Sequence, residues 1–120
     1  MKINALYIST QDFDRGVRCY TELVFQRPPA FTTERFAFFD IDGFLFGVFN
    51  AAFADEAPTV GSNCVPTIEV ENVDEVYQRL ADAGLETVMQ PHFVEGMRIA
   101  QVLDTEGNTL EFYTQLQKSG

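Results

Sequence analysis

The stretch Asp104-Thr105-Glu106-Gly107-Asn108-Thr109-Leu110-Glu111-Phe112-Tyr113, residues 104–113, has a twin earlier in the chain. The twin is Asp40-Ile41-Asp42-Gly43-Phe44-Leu45-Phe46-Gly47-Val48-Phe49, residues 40–49. Each stretch begins with an acid-and-glycine turn, where glycine accommodates a positive φ, and continues into a strand of alternating faces. In this register Phe46 matches Leu110, Gly47 matches Glu111 and Val48 matches Phe112. One copy therefore has a carboxylate where the other has no side chain.

The match extends to the helices. Asp12 and Asn72 lie sixty positions apart, and each precedes a helical pattern that it can cap. The first helix is predicted from Asp12 to Phe25, with Phe13, Val17, Tyr20 and Val24 at helical spacing and Arg27-Pro28-Pro29 ending it. The second is predicted from Asn72 to Ala83. Glu75 stands three residues after its cap, Val73, Tyr77 and Leu80 form its stripe, and Gly84 follows. Strands are expected at 3–9 and 65–71 before the helices. After them come 30–34, 35–41 and 44–50 in the first half, and 86–90, 98–104 and 109–115 in the second. The order is βαβββ twice, an internal repeat. The reading is one α+β domain over 1–120: module one 1–50, linker 51–63, module two 64–117.

Composition narrows the function. The chain has 120 residues, 46% of them hydrophobic, which is enough for a core without disulfide staples. It carries twelve Phe and no Trp, and its formal net charge is −10. Nucleic acid is not an expected partner, because phosphate binding needs clustered Lys and Arg. An anionic membrane surface is not expected either. The longest apolar run, Phe44 to Phe49, is far short of the roughly 20 residues of a membrane span. The start, MKINALYIST, has no signal-like apolar segment, and Cys19 and Cys64 lack metal-ligand spacing. A cytoplasmic protein with reduced thiols is expected.

The double βαβββ pattern, the segments Asp12 to Tyr20 and Val73 to Gly84, and the ending Asp104 to Phe112 resemble the vicinal oxygen chelate superfamily. This group includes glyoxalase I, bleomycin-resistance proteins and extradiol dioxygenases. The resemblance implies curled mixed sheets around a cup, and a homodimer. In metal-dependent members it implies ligands on the first and last strands of each module. Here those positions are Ala5, Gly47, Val65 and Glu111, so only Glu111 matches. The expectation is no metal site, no cofactor and no assigned catalytic residue.

Strand alternation puts Thr109, Glu111 and Tyr113 on one face, with Leu110 and Phe112 on the other. The expected cup lining is Glu111, Glu69, Tyr113, Thr109, Tyr7, Phe49 and Thr67, with Leu45 and Ser9 beside Gly47. Glu111 is open to three uses: an idle solvated acid, a ligand contact or a general base. Glu69 is either its partner or an independent surface acid. His92, the only His, is expected in the loop before the penultimate strand. Arg98 is expected to pair at the surface. The function expected is metal-free binding of a small drug-like, aromatic or cationic molecule. The alternatives are a metal-dependent lyase, isomerase or dioxygenase of the same superfamily, and an interaction module whose cup has filled in.

Overall fold

The computed structural model describes residues 3–54, 61 and 64–116. The chain divides into two compact units, Met1–Val60 and Gly61–Gly120. In the first, β1 (Ala5–Thr10) leads to α1 (Phe13–Arg18), then β2 (Phe31–Thr32), β3 (Phe36–Ile41) and β4 (Phe44–Asn50). In the second, β5 (Thr67–Glu69) leads to α2 (Val73–Asp82), then β6 (Thr87–Val94), β7 (Met97–Leu103) and β8 (Thr109–Gln115). The sheets are ordered β1-β4-β3-β2 and β5-β8-β7-β6. In each, the first and last strands pair in parallel and the remaining ladders are antiparallel. This is the α+β repeat expected from the sequence.

Both helix starts follow from their caps. The Asp12 carboxylate accepts from the Arg15 N–H at 3.1 Å, and the Asn72 side-chain oxygen accepts from the Glu75 N–H at 3.2 Å. Each cap satisfies a backbone donor that the helix itself leaves orphaned. The first helix differs from its expected regular course. After Arg18 the chain widens into a π-helical stretch, Cys19–Val24, closed by a 2.9 Å bond from the Phe25 N–H to the Tyr20 carbonyl. The widening goes with a fully buried Tyr20, whose ring centroid lies 5.6 Å from that of Phe25 and 5.0 Å from that of Phe46.

The cores lie on the helix side of each sheet. Tyr20, Ala37, Phe39, Phe46 and Val48 fill the first, and Val73, Leu80, Ala100, Val102, Leu110 and Phe112 fill the second. The turns differ between the repeats. Asp42 and Gly43, at φ 53° and 91°, make a two-residue hairpin loop in which both central residues are left-handed. The Asp104 turn is longer, and Asp104 ties it together by accepting from the Glu106 and Asn108 N–H groups at 2.8 and 2.9 Å.

Three expected boundaries shift. The strand expected over 30–34 shrinks to Phe31–Thr32, and the one over 65–71 to Thr67–Glu69. The strand expected over 86–90 instead runs to Val94, so His92 lies within a strand and not in a loop. The linker expected over 51–63 begins with a 3₁₀ turn, Ala51–Phe53, capped by Asn50. Its residues 55–60, 62 and 63 lie outside the described residues. No helix among the described residues is long and apolar enough to cross a membrane.

Candidate ligand-binding faces

The strand registers place Gly47 and Glu111 at equivalent positions. Gly47 pairs with Tyr7 on one side and Phe38 on the other, and Glu111 pairs with Thr67 and Gln101. Directly paired residues project to the same side of a sheet. Both positions therefore lie on the sheet face away from the helix.

On the second sheet, the Glu111 carboxylate is held at both oxygens. The Thr67 hydroxyl donates to Oε2 at 3.1 Å, and the Gln101 amide donates to Oε1 at 3.0 Å. Both donors are neutral, so the carboxylate is oriented without losing its charge to an ion pair. Thr67 was expected here. Gln101 was not, because its partnership depends on the β7–β8 register, which alternation within one strand does not reveal. Tyr113 and Glu69 pair with each other on the same face, one step along from Glu111 and Thr67. Thr109 is on this face too, but only 6% exposed, so little of it is open to a ligand.

On the first sheet, the face around Gly47 is aromatic. Tyr7 and Phe49 were expected there, and register adds Phe31, Phe36 and Phe38. The rings form a continuous cluster: Tyr7–Phe36 at 5.5 Å, Tyr7–Phe49 at 5.6 Å, and Phe36–Phe49, Phe36–Phe38 and Phe31–Phe38 at 4.8, 5.0 and 5.0 Å between centroids. Tyr7 and Phe31 remain 60% and 50% exposed. The Phe38 ring lies over Gly47. A Cβ built on Gly47 would meet Phe38 Cε1 at 2.8 Å and Tyr7 Cβ at 2.9 Å.

These observations test the metal implied by the resemblance. Zinc, nickel, manganese and iron need several convergent N, O or S donors. Ala5 and Val65 offer none, and the space beside Gly47 is taken by Phe38 and Tyr7. Glu111 already accepts from two neutral donors. Among the described residues, no three His, Cys, Asp or Glu side chains are grouped to hold a metal ion. The described residues do not fit the family's metal.

The opposite, helix-side face of the second sheet carries a hollow of about 350 Å³ beside the start of α2, lined in part by Asp74, Phe93, Arg98 and Thr114. Its cation is engaged. Arg98 Nε and Nη2 donate to the two Asp74 oxygens at 3.1 and 2.9 Å, and the guanidinium sits 4.3 Å from the Phe93 ring centroid. The hydrogen bonds from Arg98 hold the Asp74 carboxyl below its ordinary value. Arg98 is thus paired at the surface, as expected.

Several solved structures share this architecture. A glyoxalase-related enzyme from Fulvimarina pelagi aligns with a TM-score of 0.80 at 18% identity, over 95% of this chain and 88% of its own. A lactoylglutathione lyase from Agrobacterium tumefaciens aligns with a TM-score of 0.75 at 16% identity, over 94% and 92%. TioX from Micromonospora sp. ML1 aligns with a TM-score of 0.70 at 26% identity, over 97% and 100%. No curated protein is detectably similar in sequence. The profile of the Glyoxalase/Bleomycin resistance protein/Dioxygenase superfamily matches residues 2–112, nearly the whole repeat described above, and the chain belongs to that superfamily.

Proposed function

We propose that this protein binds a small aromatic or cationic molecule without a transition metal. The observation that carries the reading is the ring cluster on the first sheet. Tyr7 and Phe31 lie outside the core and stay exposed, while Phe38 covers Gly47, the position where the family pattern has an acid. A face of this kind offers stacking and apolar burial, the main components of small-molecule sites. The second sheet offers a fixed carboxylate, Glu111, suited to a hydrogen-bond donor or a cation. Nothing in this arrangement calls for bond chemistry on the ligand.

A thermal-shift screen of aromatic cations and drug-like compounds tests the reading, followed by calorimetry on hits. A ligand at 100 times its Kd should stabilise the fold by about 2.7 kcal/mol. A hit on the first sheet's face should bind less tightly to Tyr7→Ala, and a hit on the second sheet's face less tightly to Glu111→Gln. Elemental analysis of protein purified without a metal-binding tag should find no stoichiometric metal. Stoichiometric Zn, Ni, Mn or Fe, or hits indifferent to both substitutions, would overturn the proposal.

A further inference from the structure

The β6 strand carries two irregularities that decide which side chains face Glu111. Thr87 pairs with Val102, Met89 with Gln101, and His92 with Ile99. Between the first two pairs, and again between the second two, β6 advances one residue more than β7. Each extra residue is a bulge, and a bulge reverses the side on which the following residues emerge. Counting by simple alternation from Met89, Pro91 and Phe93 would share the Glu111 face. The bulge at Gln90-Pro91 puts His92 there instead and sends Phe93 to the helix side against Arg98. Proline has no N–H for a ladder, so it belongs at such a position.

The bulge also sets the ring's hydrogen bonding. His92 Nδ1 lies 2.8 Å from the Gln90 carbonyl oxygen. That oxygen can only accept, so Nδ1 is the donor of this bond, and the tautomer it selects has Nε2 as its acceptor. Across the sheet, His92 is in register with Ile99, Ile99 with Tyr113, and Tyr113 with Glu69. The neighbouring row is Met89, Gln101, Glu111 and Thr67. The two rows differ. In the Glu111 row the polar groups bond one another. In the His92 row, His92 Nε2, the Tyr113 hydroxyl and the Glu69 carboxylate make no hydrogen bond with the described residues.

We infer that the His92 row is the part of this face that recognises the ligand, while Glu111 with Thr67 and Gln101 forms the fixed polar border beside it. This rests on the binding function proposed above and specifies its chemistry. The row presents an acceptor at His92, the Tyr113 hydroxyl two strands away and the Glu69 carboxylate three strands away, with Ile99, only 8% exposed, as the apolar floor between His92 and Tyr113. Strands lie about 4.8 Å apart, so at the backbone His92 is about 10 Å from Tyr113 and about 14 Å from Glu69. The matching ligand is a cation with hydrogen-bond donors at both ends of an apolar spacer. His92 is its specificity-determining residue, because among the described residues of this row it supplies the end on β6.

The test uses 4,4′-biphenyldicarboxamidine, which has donors at both ends, and benzamidine, which has them at one. Calorimetry on the full chain should show the diamidine binding at least tenfold more tightly. His92→Phe should remove that advantage and leave benzamidine binding within about twofold. Glu69→Gln and Tyr113→Phe should weaken both probes, by about tenfold for a lost charge-assisted bond. If His92→Phe disturbs the fold, His92→Gln and the ring ¹⁵N signals of this sole histidine replace it, and the diamidine should shift Nε2 far more than Nδ1. Probes that bind but ignore His92, or lose affinity equally with its substitution, would overturn the assignment. So would failure of both amidines while other aromatic cations bind and depend on Tyr7, an outcome that leaves the binding function intact. No ligand for either sheet face would sink both.

Discussion

Gly47→Ala isolates why this family position lacks its acid. The backbone at Gly47 is not left-handed, so alanine is tolerated conformationally and its effect is one of space. The new methyl carbon would lie 2.8 Å from Phe38 Cε1 and 2.9 Å from Tyr7 Cβ. Ordinary carbon contacts begin near 3.5 Å, so the overlaps are about 0.7 and 0.6 Å. The Phe38 ring can turn aside. Tyr7 Cβ is fixed to the backbone of the neighbouring β1, so relief there needs the strands to shift. Overpacking of this kind costs about 1–3 kcal/mol. Replacing a strand glycine recovers about 0.5–1 kcal/mol of chain entropy. Because Tyr7 Cβ cannot turn aside, the cost should fall in the upper half of the overpacking range, about 2–3 kcal/mol, and the net expectation is a loss of about 1–2 kcal/mol. In urea unfolding, with a slope of about 2 kcal/mol/M, the midpoint should fall by roughly 0.5–1 M at unchanged slope. Phe38→Leu in the same chain should recover part of the loss but not the Tyr7 share. Gly47→Glu, which restores the family acid, should cost more than alanine and retain no added zinc through dialysis. A Gly47→Ala protein as stable as the parent would refute the claim that Phe38 and Tyr7 close this position.

The two aromatic populations should respond very unequally to truncation. Tyr20→Ala removes a fully buried ring and should cost about 3–5 kcal/mol, whereas Tyr7→Ala, at a 60% exposed residue, should cost under about 1 kcal/mol; paired urea curves compare them. Asn72→Ala removes the α2 cap and should cost about 1 kcal/mol, with Asn72→Asp close to neutral in the same assay. The Arg98 hydrogen bonds depress the Asp74 carboxyl below 3.8, so the folded form binds its proton less readily than the unfolded chain does. That contribution is fully present above the unfolded value and fades as pH falls through the lower folded one. Between about pH 5 and pH 3, wild type should therefore lose slightly more stability than Asp74→Asn. The difference is small because the pair is exposed, and 1 M salt should shrink it further.

The repeat was legible because its signals are local. Asp12 and Asn72 cap their helices through hydrogen bonds only three residues long, and the strands Phe44–Asn50 and Thr109–Gln115 fall where alternation and flanking turns put them. The equivalence of Gly47 and Glu111 was legible for the same reason, since both follow an acid-and-glycine turn at the same distance. Alternation within single strands also put Thr67 and Tyr113 on the sheet face that carries Glu111. They missed the π-helical stretch at Cys19–Val24, where burial of Tyr20 against rings on other elements accompanies a wider turn than helical spacing implies.

The sequence by itself thus determined the double βαβββ plan, the superfamily and the single acid left at its ligand positions. It did so because caps, turns and strand periodicity act over a few residues. Tertiary structure decided what surrounds those positions: Phe38 over Gly47, Gln101 and Thr67 on Glu111, and His92 turned onto the Glu111 face by the bulge at Pro91. Cross-strand neighbours are fixed by register, and one extra residue in a strand reverses every face that follows. That information is a property of two strands together, and no window on one strand contains it.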